Sequence, residues 1–242
     1  MSTALGQPWG IFACRKGMRS LRARMAVNTA KFLGIVGAVL FVSAGTPRFW
    51  GAWLFLVFNL AWLRVAGSYF LKKDPALVER RLIQDEQGEK ELVQKRVMTV
   101  LRVLGVATLV LAGLDHRFGW SAVPGWVVGA GCALFVAGAA VVFAVFLENT
   151  YTSSIIEVDA AQTVVATGPY RVLRHPMYAG TLLMGLGTPL MLGSYWALLL
   201  LPPGWALLVV RILAEEHFLS HELRGYAEYM RRTPKRLIPG VW

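Results

Sequence analysis

Apolar positions along this chain fall into long blocks, and the polar residues gather in the connectors between them. Blocks at residues 26–44, 49–71, 97–114, 125–147, 176–192 and 195–213 predict six membrane spans, since about 20 apolar residues cross a bilayer. The fifth block is the shortest, so it reads either as a full crossing or as a re-entrant segment. Trp50 and Trp53 stand near one end of span 2 as interface anchors. Arg64, inside the same span, either snorkels to the interface or faces the bundle interior. In span 4, Gly129, Ala133 and Ala137 form a small-xxx-small ridge suited to close helix packing. Gly193 and Ser194 make a tight turn that pairs spans 5 and 6 as a hairpin, and Pro202-Pro203 should interrupt span 6 early.

The connectors have patterns of their own. Residues 74–87 start with Asp74 at an N-cap and Pro75 at the first helical position. Leu77, Leu82 and Ile83 then share one face, which predicts a short amphipathic helix on the membrane surface. Two β-branched runs, at 154–158 and 163–167, predict a small hairpin ahead of span 5. The chain after 213 is helical in pattern to about Met230, and Thr233-Pro234 ends that helix. Leu237 to Trp242 then form an apolar patch that returns to the membrane surface or to the protein.

Composition agrees with a membrane protein. The 242 residues are 56% hydrophobic and 16% charged, with a mean hydropathy of +0.51. Soluble domains hold about 45–50% apolar and about 25% charged residues. The formal charge of +11 does not point to nucleic acid, because the basic residues follow the positive-inside rule. Connectors 1–25, 72–96, 148–175 and 214–242 hold most of them, whereas the other face carries Arg48 and Arg117. This places both termini in the cytoplasm, with a first span that is retained rather than cleaved. Cys14 and Cys132 do not pair by position, and no spaced Cys/His cluster suggests zinc. His217 and His221 are one helical turn apart but lack a third ligand.

The chemistry concentrates at residues 168–180, GPYRVLRHPMYAG, at the cytoplasmic start of span 5. Because spans 5 and 6 are adjacent, Tyr170, Arg171, Arg174, His175 and Tyr178 should meet Glu215, Glu216, His217, Tyr226 and Tyr229 across one boundary. Cations and a carboxylate pair beside apolar helices suit a zwitterionic ligand with a further positive centre. S-adenosylmethionine is such a ligand: its carboxylate suits Arg or His, and its ammonium and sulfonium suit glutamate. Adjacent glutamates on a helix point about 100° apart, so the sequence leaves open which of the two faces the site.

The stretch GPYRVLRHPMYAG, then RILAEEHFL, then Tyr226-x-x-Tyr229-x-x-Arg232-x-Pro234, resembles the isoprenylcysteine carboxyl methyltransferase family. That family belongs with membrane methyltransferases that include the phospholipid methyltransferases. The resemblance covers roughly residues 148–242, and spans 1–4 match only as hydrophobic helices. It implies an all-α integral membrane protein, with residues 1–147 as arm and spans 1–4 and residues 148–242 as the catalytic region. It also implies a cytosol-facing S-adenosylmethionine pocket, with a lipophilic or lipid-modified acceptor arriving from the bilayer. Carried over by motif, Arg174 and Glu216 would be catalytic, with Arg174 orienting an anionic acceptor. Tyr170, His175, Tyr178, Gly180, Glu215 and Tyr226 would hold the cofactor. Leu223-Arg-Gly-Tyr226 stands where the family often has Gly-Glu-Glu-Tyr.

Methyl transfer to a carboxylate needs no proton removal, whereas an amine needs a base. The residues fit either acceptor. A transporter or an accessory subunit without chemistry is the alternative class, although no internal repeat of the transporter kind is visible.

Overall fold

A computed structural model describes residues 9–87, 92–149, 163–238, 240 and 242. Eight α-helices follow in order: α1 Trp9–Ala44, α2 Trp50–Lys73, α3 Pro75–Gln87, α4 Leu92–Phe118, α5 Gly125–Glu148, α6 Pro176–Met191, α7 Leu201–Glu222 and α8 Tyr226–Arg232. A 3-10 turn at Gly168–Arg171 precedes α6, and another at Trp196–Leu200 runs into α7. No strand occurs among the described residues. The first run of the expected hairpin, 154–158, lies outside them, and residues 163–167 are irregular.

Among the described residues, five helical segments are long and apolar enough to span a membrane: Ser20–Ala44, Trp50–Lys73, Gln94–Phe118, Gly125–Glu148 and Trp196–Glu222. Residues 176–192 were the expected fifth crossing, and they form the shorter α6, of 16 residues. At 1.5 Å per residue α6 is about 24 Å long, against a hydrocarbon core of about 30 Å. Pro202 and Pro203 occupy the first turn of α7, where their missing N–H groups cost nothing, and the 3-10 segment ends there.

The expected pairing of spans 5 and 6 is corrected by the packing: α6 lies chiefly on α5, and only lightly on α7. The cause is glycine. A Cβ at Gly180 would sit 2.8 Å from the Gly138 carbonyl oxygen, and one at Gly187 would sit 2.6 Å from that of Gly131. These two contacts, seven residues apart on each antiparallel helix, bring the backbones together. The anticipated ridge of Gly129, Ala133 and Ala137 is on the exposed side of α5 instead.

Asp74 Oδ1 accepts from the Leu77 N–H at 3.1 Å, as an N-cap should. Leu82 then packs with Leu21 and Leu71, seating α3 against α1 and α2. Arg64 is exposed on α2, the geometry of a snorkelling side chain. The connectors α1–α2, α4–α5 and α6–α7 meet at one end of the bundle. There Asp115, 1% exposed, accepts from the Ser121 N–H and hydroxyl, both at 2.7 Å, and from the Ser194 hydroxyl. The starts of α4 and α6 and the end of α7 meet at the opposite end.

Candidate functional site

Two adjacent carboxylates on α7 each organise a polar network at that opposite end. Glu216 is 6% exposed. Its Oε1 accepts from Arg174 at 3.2 Å and from His175 Nε2 at 3.1 Å, while Oε2 accepts from Arg236 Nε at 2.9 Å. A carboxylate only accepts, so the His175 proton facing it is on Nε2. Glu215 Oε2 accepts from the Tyr178 hydroxyl at 2.6 Å. That hydroxyl accepts in turn from Arg211 Nε at 3.0 Å, and Arg211 donates through its Nη1 to Gln94 Oε1 at 3.2 Å. Glu216 thus faces the R-H-P segment and the tail, whereas Glu215 faces the interior between α4, α6 and α7.

Local sequence explains this placement. Pro176 starts α6, so His175 sits at its N-cap position and Tyr178 falls on the first turn. The backbone N–H groups of Arg174 and His175 donate to the carbonyls of Lys235 and Arg236, both at 2.9 Å. These paired bonds lay the tail along the R-H-P segment and deliver the Arg236 guanidinium to Glu216. Arg174 also donates to the Pro234 carbonyl at 3.2 Å. Trp242 lies back on the protein: it joins Leu237, Leu208 and Ile212, and the Arg236 guanidinium lies 5.1 Å from its ring centroid.

Two glycines shape the approach. Gly225, at φ +88, lies between α7 and α8 in a conformation that side chains disfavour. It turns α8 back so that the Tyr229 hydroxyl donates to the Tyr170 carbonyl at 2.8 Å. Gly168, at φ +54, lets the 3-10 turn approach Glu148, whose Oε1 would lie 2.7 Å from any Cβ there. The Tyr170 hydroxyl accepts from Asn149 Nδ2 at 3.2 Å. Burial, and secondly the Glu215 carboxylate, raise the Tyr226 hydroxyl well above its ordinary range. Burial and then Tyr170 do the same for Tyr229, so both stay neutral.

Of the residues singled out by sequence, Arg174, His175, Tyr178, Glu215 and Glu216 come together in this site. Tyr170 and Tyr226 pack beside it in one cluster with Tyr229 and Leu223. Gly180 is elsewhere, buried in the α5–α6 seam. Arg171 is exposed, and so are His217 and His221, which interact with each other. No group of three metal-ligating side chains occurs among the described residues.

The sequence reading passed over Gln94, Arg211 and Arg236. An ionisable residue within a span is a functional signal in its own right, and Arg211 inside span 6 gave that signal. Gln94 and Arg236 gave none, because only the fold brings them to the glutamates.

One feature points directly to a ligand. The Arg174 side chain is 7% exposed, and its Nε is a buried donor with no partner among the described residues. Gln94 Nε2, on a residue 1% exposed, is another. Its carboxamide cannot turn over without losing the bond from Arg211. Unpaired buried donors cost about 1–3 kcal/mol each. An anionic ligand group would satisfy them.

Comparison with known proteins bears on this site. Residues 126–224 match the family model "Phospholipid methyltransferase". Over 73 residues the chain is 37% identical to protein-S-isoprenylcysteine O-methyltransferase B of Arabidopsis thaliana, which covers 29% of this chain and 37% of that protein. It is 38% identical, also over 73 residues, to the cobalt-zinc-cadmium resistance protein CzcN of Cupriavidus metallidurans, covering 30% and 34% of the two chains. The chain therefore spans only about a third of the length of the curated relatives it matches. The structure of the eukaryotic intramembrane Ras methyltransferase, isoprenylcysteine carboxyl methyltransferase, superposes over 88% of this chain and 75% of its own, with a TM-score of 0.53 and 18% identity. The fold is thus shared along most of the chain. The chain is a multi-pass membrane protein that shares the fold of that methyltransferase, and the part holding R-H-P-x-Y-x-G and E-E-x-x-L is similar in sequence to isoprenylcysteine and phospholipid methyltransferases.

Proposed function

We propose that this protein transfers a methyl group from S-adenosylmethionine to a lipophilic acceptor, a carboxylate by preference, at the Glu215–Glu216 cluster. The observation that carries this reading is the unpaired buried Nε of Arg174 beside two partnered glutamates. The site fits the cofactor in charge, since it offers guanidinium for a carboxylate, carboxylates for cationic centres and tyrosines for an adenine face. Tyr170, His175, Tyr178, Glu215 and Tyr226 would hold it. Gly180 would act only by holding α6 on α5. When bound, S-adenosylmethionine supplies an electrophilic methyl carbon on a sulfonium.

The protein's own residues do the rest. Arg174 binds and orients the acceptor anion through its Nε, the donor that Glu216 and the Pro234 carbonyl leave over. Glu216, held by two arginines and His175, fixes those side chains in place. The apolar faces of α6 and α7 exclude water, which strengthens the fixed charges around the reacting atoms. A carboxylate acceptor attacks without losing a proton, so positioning dominates. Residues 148–242 carry the chemistry, while Gln94 extends the site into the first half of the chain. Both termini and the site face the cytoplasm, on the distribution of basic residues.

The phospholipid methyltransferase match favours a second acceptor, a lipid amine. Its proton would pass to Glu215, the carboxylate that lacks a salt bridge among the described contacts. Radiolabelled methyl transfer separates the two readings. With S-farnesylated N-acetylcysteine as acceptor, a base-labile methyl ester supports the carboxylate reading. A base-stable methyl on phosphatidylethanolamine supports the amine. Transfer to neither acceptor, nor to a total lipid extract, by folded protein would overturn both.

A further inference from the structure

The end of the bundle away from the glutamates holds a cavity of about 580 Å³ that methyl transfer does not use. Its volume is within the ~300–1,000 Å³ of typical small-molecule sites. One wall is α2, where Trp50, Trp53, Leu54 and Val57 follow i, i+3, i+4, i+7 spacing and form a stripe. At 1.5 Å per residue this stripe runs about 10 Å from the helix start toward the membrane interior. Phe49, Met191 and Leu192, all nearly inaccessible, form the floor. Trp53 and Val57 are about half exposed, so the cavity opens sideways at hydrocarbon depth.

The cavity is built rather than incidental. The Trp53 indole N–H donates to the Pro47 carbonyl at 2.9 Å, which fixes the ring. Phe49 stacks on His116 with centroids 4.2 Å apart. Asp115 ties the α4–α5 and α6–α7 connectors together through Ser121 and Ser194. The mouth also carries a cation, Arg48, beside the His116 ring, and Arg117 follows in sequence. Asp115 is the acid of these connectors, and it is buried and already committed to the serines.

We propose that this cavity binds one anionic phospholipid of the adjoining leaflet, its phosphate at Arg48 and His116 and an acyl chain along the Trp53–Val57 stripe. A soluble anion would leave the apolar stripe unused, and a zwitterionic lipid would bring a headgroup cation of its own against Arg48. An arginine near a membrane surface contributes about 1 kcal/mol toward anionic lipid, which is roughly a fivefold preference. The site is independent of the methyl-transfer reading and stands or falls separately.

Native mass spectrometry of the delipidated full chain tests it, with phosphatidylglycerol and phosphatidylcholine of identical acyl chains titrated in turn. The expected result is a single retained phosphatidylglycerol, held about fivefold tighter than phosphatidylcholine. Arg48→Gln should bring the two lipids near parity. Val57→Trp, at a half-exposed position where the core is not disturbed, should block retention of either at an unchanged melting temperature. Equal retention of both lipids by the intact chain would overturn the proposal, as would unaltered retention in Val57→Trp. Displacement of the lipid by inorganic phosphate would overturn the acyl-chain half of it.

Discussion

Gly180→Ala tests the placement of α6, on which the site depends. A Cβ at this position meets the Gly138 carbonyl oxygen and the Val142 Cγ2 at 2.8 Å and the Val142 nitrogen at 3.2 Å. Two of those atoms are backbone, so a rotamer change cannot relieve the clash. Ordinary contact begins at 3.4 Å, so α6 must move away from α5 by about 0.6 Å, and such overpacking costs about 1–3 kcal/mol. For a chain of this size that lowers the melting temperature by roughly 2–12 °C. The same shift matters at the site, because His175 and Tyr178 lie on the turn next to Gly180. Moved by that amount, the 3.1 Å contact from His175 to Glu216 would reach about 3.7 Å, beyond hydrogen-bonding range. Circular-dichroism melts and calorimetric titration with S-adenosylhomocysteine should therefore show lower stability and weaker binding together. An unchanged melting temperature with normal binding would refute the tight seam. An unchanged melting temperature with binding lost would return Gly180 to the cofactor contact that the motif implied.

Other substitutions separate the two networks and the scaffold. Arg211→Met and Gln94→Leu should both raise KM for S-adenosylmethionine more than for a prenylcysteine acceptor, because their network holds Tyr178 and Glu215, and the double variant should be far from additive because the two side chains touch. Arg236→Gln removes a half-exposed partner of Glu216, so a double-mutant cycle with Glu216→Gln should give a coupling of only about 1 kcal/mol. Limited proteolysis should then cut the tail faster. Asp115→Ala strands two serine hydroxyls and a backbone N–H at the far end, and should cost at least about 2 kcal/mol in thermal melts with cofactor affinity unchanged.

Five of the six expected spans were legible because hydropathy and length report directly on burial in lipid, whereas residues 176–192 hold a helix of only 16 residues. The short helix after Asp74 was legible because its cap and face are local. The meeting of R-H-P with the glutamate pair followed from topology. What sequence could not show is which small residues touch. Gly129, Ala133 and Ala137 have the right spacing, but the backbone contacts fall at Gly131 and Gly138, about 140–160° around the helix from the middle of that ridge. Nor could it show that the tail runs back along Arg174 and His175, since two backbone hydrogen bonds leave no mark in side-chain identity. Arg236 reaches the site for that reason alone. The choice between Glu215 and Glu216 also dissolves in three dimensions, because each anchors its own network.

The most direct measurement is isothermal titration of the purified protein with S-adenosylmethionine and S-adenosylhomocysteine, for the intact chain, Arg174→Ala and Glu216→Gln. The expected result is saturable one-to-one binding of both ligands by the intact chain, and binding weakened by at least about tenfold in Glu216→Gln, where about 1.4 kcal/mol or more of charge pairing is lost. Folded, intact protein that binds neither ligand would contradict the assignment of this cluster as a methyl-transfer site.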